Sequence, residues 1–180
     1  MAIIIGLLIG LLMYYNKIGR FFFEPLIIFG MSFPVITLIP AFVLWFGYGH
    51  VSRILLVTLA CTFPIALSTY NGASNVKKEF IWTAMCLGTR SKLKLLRKVI
   101  LPASLPFILS GTRISLHISL IVAFVFEMVA GGGGLGFLEI RAARFFLAPE
   151  LFATLFTILM VGFVLDRTMQ YLQKTILIWI

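Results

Sequence analysis

Four apolar runs in this chain approach or meet the length a helix needs to cross a bilayer: Pro25 to Phe46, Ile54 to Tyr70, Pro106 to Val129 and Phe145 to Leu165. The hydrocarbon core is about 30 Å thick and a helix rises about 1.5 Å per residue, so roughly 20 apolar residues are required. A fifth run, Ala2 to Tyr15, is only 14 residues long and covers about 21 Å. Composition agrees, with 61% of the 180 residues hydrophobic and 12% charged, against about a quarter charged in an ordinary soluble domain. The expectation is an all-α integral membrane protein with about five transmembrane helices, forming one domain over residues 1–180.

Short loops rich in Lys and Arg stay in the cytoplasm. Placing residues 71–105 inside also puts Lys17, Arg20, Arg167 and Lys174 inside, and leaves Arg53, Arg141 and Arg144 outside. The chain then starts outside. The net charge of +9 thus reads as membrane topology and not as a nucleic-acid surface. The N-terminus has no basic region before its apolar run and no small-residue cleavage site, so it is not a secretory signal. Pro34, Pro40 and Pro64 fall within spans, where a missing donor bends a helix. The run GGGG at 131–134 predicts an external turn. Cys61 and Cys86 read as packing residues.

One stretch does not fit a plain membrane bundle. KKEFIWTAMCLGTRSKLKLLRKVILP, residues 77 to 102, carries seven basic residues. At 100° per residue Arg90, Lys94, Arg97 and Lys98 share one side of a helix and Leu93, Leu96 and Ile100 another. Leu101-Pro102 is expected to end that helix. Ahead of it EFIWTAMCLG suggests a short helix closed at Gly88. Basic charge alone is explained by attraction to anionic lipid. Phe80, Ile81, Trp82, Met85 and Leu87 are not, because such groups are costly to leave in water; they form a docking knob for a soluble partner.

The order WTAMCLG, then a basic helix, then ILPASLPFILSGTRISL resembles the EAA loop of ABC importer permeases. Thr83-Ala84 and Gly88 take the alanine and glycine positions and Leu101-Pro102 the closing pair. Trp82 stands where that pattern has glutamate, and Gly88 to Pro102 is one position longer than usual. SFPVITLIPAFVLWFGYGHVSRI, FPIALSTYNG, FEMVAGGGGLGFL and LDRTMQYLQK resemble segments of the nitrate, sulfonate and taurine branch. The resemblance implies a multi-pass subunit of the cytoplasmic (inner) membrane, paired as a homodimer, that passes a small solute from an extracytoplasmic solute-binding protein. It implies a cytoplasmic ABC ATPase that binds the ATP, with no cofactor in this chain. The coupling loop would be residues 71–105, with Phe80, Ile81, Trp82, Thr83, Ala84, Met85, Leu87, Gly88, Arg90 and Pro102 in contact or in support. By the same resemblance Met1 falls inside the second span of such permeases, and the chain is short at its N-terminus.

Ionisable groups inside a span are functional candidates. Arg113 and His117, one turn apart in the fourth span, are candidates for the solute path, the alternative being helix-to-helix bonds. Glu127, beside the glycine turn, is a candidate gate of the outer mouth. No G-x-x-x-x-G-K-[ST] motif, Ser/His/Asp arrangement or metal-ligand spacing occurs, so no catalytic or metal site is expected. A self-sufficient channel or carrier would need ion-coupling residues deep in its spans or repeated halves; only Arg113 and His117 qualify.

Overall fold

The computed structural model describes residues 1–89 and 91–177. The described residues form helices joined by short turns: α1 (Ala2–Tyr15), α2 (Lys17–Ser32), a 3₁₀ turn (Val35–Leu38), α3 (Ile39–Phe46), α4 (His50–Ser74), α5 (Lys78–Cys86), α6 (Lys92–Leu95), a π turn (Leu96–Ile100), α7 (Leu101–Ala130), α8 (Leu135–Arg144) and α9 (Ala148–Ile176). Among the described residues three helices are long and apolar enough to cross a membrane: His50–Ser74, Lys92–Ala130 and Ala148–Ile176. The expected second span, Pro25 to Phe46, is instead broken, with its two halves at 89°. Pro34 stands at the break. It lacks an N–H, and it forces Phe33 into an extended conformation, as the residue before proline prefers. Pro40 opens α3 near its first turn, whereas α4 continues through Pro64.

Small residues let the helices approach. A Cβ on Gly6 would lie 2.7 Å from Ile65 Cγ2, and one on Gly10 2.6 Å from the Ala66 carbonyl oxygen, so α1 rests against the backbone of α4. The α4–α7 interface is the most extensive in the molecule. Two reciprocal bonds cross it: Ser115 Oγ donates to the Cys61 carbonyl at 3.0 Å, and Cys61 Sγ donates to the Ser115 carbonyl at 3.3 Å. Cys61 is buried, as a packing residue should be, but Cys86 is exposed on α5. Toward the end expected outside, the outer end, a core of Ile39, Leu56, Ala60, Val122 and Phe126 joins α3, α4 and α7. At the opposite, inner end Ala73, Leu95 and Ile100 form a smaller core.

The expected helix break at Leu101-Pro102 is absent. The π turn at Leu96–Ile100 carries α6 into α7, making one 39-residue helix. A π turn bonds to residues five apart, so the carbonyl that Pro102 cannot serve is accommodated without ending the helix. The same shift in register turns Leu95 into the core and leaves Leu93 74% exposed, where even 100° spacing had placed Leu93 on the apolar face. At the outer end α8 closes on the Leu147 N–H to Ala142 carbonyl bond of 2.9 Å. The last span therefore begins at Ala148 and not at Phe145.

Candidate functional site: a coupling surface and two polar clusters

Helix α5 follows α4 after a three-residue link and is closed, past Cys86, by Gly88. Gly88 has φ +88, a conformation that favours glycine. Its N–H bonds the Met85 carbonyl at 3.1 Å and the Thr89 N–H bonds the Ala84 carbonyl at 2.9 Å, the paired pattern of a Schellman cap. Ile81 and Ala84 pack on the Ala73, Leu95 and Ile100 core, which fixes the face α5 turns to the bundle. Phe80, Trp82, Met85 and Leu87 are exposed on the remaining faces. Thr83 spends its hydroxyl on the Glu79 carbonyl at 2.8 Å. Ile81 and Ala84 thus support the helix instead of projecting from it. Pro102 lies in the first turn of α7, and Arg90 falls outside the described residues.

Arg113 and His117 meet a partner on α9 that sequence reasoning missed. Arg113 Nε and Nη2 donate to the two Asp166 carboxylate oxygens at 2.8 and 3.1 Å. His117 Nε2 lies 3.4 Å from Asp166 Oδ1, Gln170 Nε2 donates to Oδ2 at 2.7 Å, and Gln173 Nε2 donates to the Leu109 carbonyl at 2.8 Å. α9 has no buried residue, so these polar contacts carry much of its attachment to α7. Ser110 and Ser119 bond carbonyls of their own helix. Asp166 lies one position past the apolar run Phe145 to Leu165, so its sequence signal is only that of a charge at a span end.

Asp166→Ala takes the acceptor from Arg113 and Gln170 at once, so it is expected to loosen the α7–α9 contact. Hydrogen exchange of the detergent-solubilised chain should then speed up in α9 and leave α1 and α4 unchanged. The swap Arg113→Asp with Asp166→Arg should recover much of the loss.

Glu127 is buried and holds the outer end together. Arg53 Nη1 donates to Glu127 Oε1 at 2.8 Å, and the Gly136 N–H, in the first turn of α8, donates to Oε2 at 3.0 Å. The carboxylate therefore caps α8 while pairing with α4. Gly131 to Gly134 all have positive φ, and a Cβ on Gly134 would strike the Glu127 carboxylate. Arg53, counted in the sequence only as an outside charge, is thus a partner of the candidate gate.

Residues 2–178 match the family of binding-protein-dependent transport system inner membrane components. The formylaminopyrimidine transport permease protein ThiX of Halalkalibacterium halodurans is 31% identical over 99% of this chain and 71% of its own length. The taurine transport system permease protein TauC of Escherichia coli is 33% identical over 99% of this chain and 64% of its own. A Bacillus subtilis permease named for aliphatic sulfonates, SsuC, is 33% identical over 97% of this chain and 63% of its own. The chain thus spans about two thirds of the length of these relatives. In solved structures, an inward-facing form of the methionine ABC transporter MetNI matches with a TM-score of 0.78 and 19% identity, over 97% of this chain and 87% of the matched one. That likeness shows the fold. Apolar crossing helices, a capped inner helix and a match over nearly the whole length agree: the chain belongs to the binding-protein-dependent transport system inner membrane components, as a permease component of ABC importers and not an enzyme.

Proposed function

We propose that this chain, as a homodimer, passes a small solute of the sulfonate, taurine or nitrate kind across the cytoplasmic membrane. The solute arrives from an extracytoplasmic binding protein, and a cytoplasmic ABC ATPase that alone binds ATP drives the cycle. The single observation that carries this reading is α5. It presents exposed Phe80, Trp82, Met85 and Leu87 while Ile81 and Ala84 anchor it to the bundle. Apolar anchors seated in a cleft carry most of an interface's energy. The neighbouring cations set approach and orientation. Motion of an ATPase holding α5 would pass through the Leu95 and Ile100 core directly into the 39-residue helix. On this reading Arg113 and His117 face the path and Glu127 controls the outer mouth. The names of the taurine and sulfonate permeases support the solute class.

The test is co-purification with an ATPase of such a system in mild detergent. Trp82→Asp removes an aromatic anchor, a change that commonly costs 2 kcal/mol or more; the co-eluting ATPase should fall roughly 30-fold. Gly88→Asp adds about 1–2 kcal/mol of left-handed strain and should lower it further through fraying of α5. Equal co-elution of wild type and both variants would remove the coupling role. If wild type binds no ATPase and yet transports solute alone, the channel or carrier reading replaces this one.

A further inference from the structure

We infer that the turn at Leu96–Ile100 is a two-register switch between α5 and the long helix. In one register Leu95 fills the inner core, and in the other Leu93 and Leu96 fill it. The inference rests on the permease reading and adds to it the device that converts motion of α5 into rotation of the basic segment α6.

Three observations carry it. The Leu101 N–H bonds the Leu96 carbonyl, five residues back, whereas an α register would join it to the Arg97 carbonyl. The five-residue spacing sets Leu95 on the face of Ile100, and the two share one core with Ala73. In an α register the residues four and seven before Ile100 take that face. Those are Leu96 and Leu93, so KLKLLRKVI supplies apolar side chains for either arrangement. Leu93 is 74% exposed in the register observed, and the second register is the one that buries it.

Pro102 holds the two registers in balance. In an α register its ring presses on the Lys98 carbonyl, four residues back, and with no N–H it offers that carbonyl no bond. The π turn relieves the clash by adopting a geometry that is itself rare and found mostly as single turns. Each register thus carries a strain the other lacks, the condition for a discrete switch and not a continuous bend.

The turn also sits where α5 can work it. Ile81 and Ala84 of α5 pack on the core that holds Leu95, as does Tyr14 of α1. The Tyr15 hydroxyl donates to the Lys92 carbonyl at 3.2 Å, which latches α6 in its present register. Displacing α5 loosens the seat of Leu95. A one-residue change of register then turns α6 by about 100° and re-aims the exposed Lys92 and Lys94.

The test follows the reaction of Leu93→Cys or Leu95→Cys with a membrane-impermeant maleimide, using the full chain in nanodiscs. Cys86→Ser removes the exposed thiol, and the buried Cys61 stays as a slow reference. Leu93→Cys should react at least tenfold faster than Leu95→Cys. Adding Pro102→Ala removes the ring clash and should reverse that order. Deleting Val99 from the Pro102→Ala chain returns Leu95 to the fourth position before Ile100, so the original order should come back without a π turn. With the ATPase bound, a non-hydrolysable ATP analogue should speed Leu95→Cys at least threefold in the chain that keeps Pro102 and Val99, and leave the deletion variant unchanged.

Rates within twofold of their starting values after Pro102→Ala would overturn the switch. So would both rates rising together, as fraying would make them, or a deletion that fails to restore the order. A reversal by Pro102→Ala without any response to nucleotide would overturn its part in coupling. Co-elution of the ATPase reads the permease function independently, so loss of the switch and loss of that function would be told apart.

Discussion

Gly111→Leu is expected to destabilise the solubilised chain by about 3–5 kcal/mol. A Cβ there would lie 2.5 Å from Ser68 Cβ and 3.1 Å from the Pro64 carbonyl oxygen. The second of these is backbone and cannot rotate away. Overpacking a fitted interior costs about 1–3 kcal/mol where side chains can shift, and more where they cannot. Pushing α4 from α7 would also stretch the reciprocal Cys61 and Ser115 bonds one turn further along, each contributing about 1 kcal/mol.

Gly162→Leu supplies the comparison. Nothing lies within 4 Å of a Cβ built there, and a helical glycine is about 0.5–1 kcal/mol worse than alanine. The same substitution on α9 should therefore be neutral or mildly stabilising. Thermal unfolding followed by fluorescence size-exclusion would separate the two by many degrees. If both variants behaved alike, helix propensity and not close approach would govern the α4–α7 contact.

The crossing helices and the short helix α5 are legible in sequence because each rests on local rules. Apolar length gave α4, α7 and α9, Pro34 announced a bend, and Gly88 announced a cap. Composition also separated Phe80, Trp82 and Met85 from a merely basic loop. Reading failed where the register changed or where pairing was distant. A fixed 100° step does not survive the π turn at Leu96–Ile100, so it puts Leu93 where Leu95 belongs, and the local proline rule ends at Pro102 a helix that in fact continues.

Distant pairs leave no periodic trace. Arg53 and Glu127 are 74 positions apart, and Arg113 and Asp166 are 53 apart. What sequence could offer was the oddity of each ionisable group in apolar surroundings. Arg113 stands out within its apolar run and Glu127 as a lone carboxylate where that run meets the glycine turn, whereas Arg53 and Asp166 lie just outside the ends of their runs, where charge is ordinary.

Glu127→Ala should cost about 3–5 kcal/mol, the usual penalty for stranding one partner of a buried pair. Two groups lose their acceptor at once: Arg53 Nη1, whose own Nε already lacks one, and the Gly136 N–H at the start of α8. The double variant Arg53→Met with Glu127→Leu separates these contributions. Methionine keeps much of the apolar stem that lies against Phe126, and removing both charges together is often neutral or better. What remains is the Gly136 amide, worth about 1–3 kcal/mol when left unpaired. The double variant should therefore recover roughly 2 kcal/mol of the single variant's loss, measured by thermal or SDS-induced unfolding in detergent. A double variant as unstable as Glu127→Ala would mean that capping of α8, and not the ion pair with α4, is what Glu127 contributes. Full recovery would mean the reverse, and would leave α8 held to the bundle by apolar packing alone.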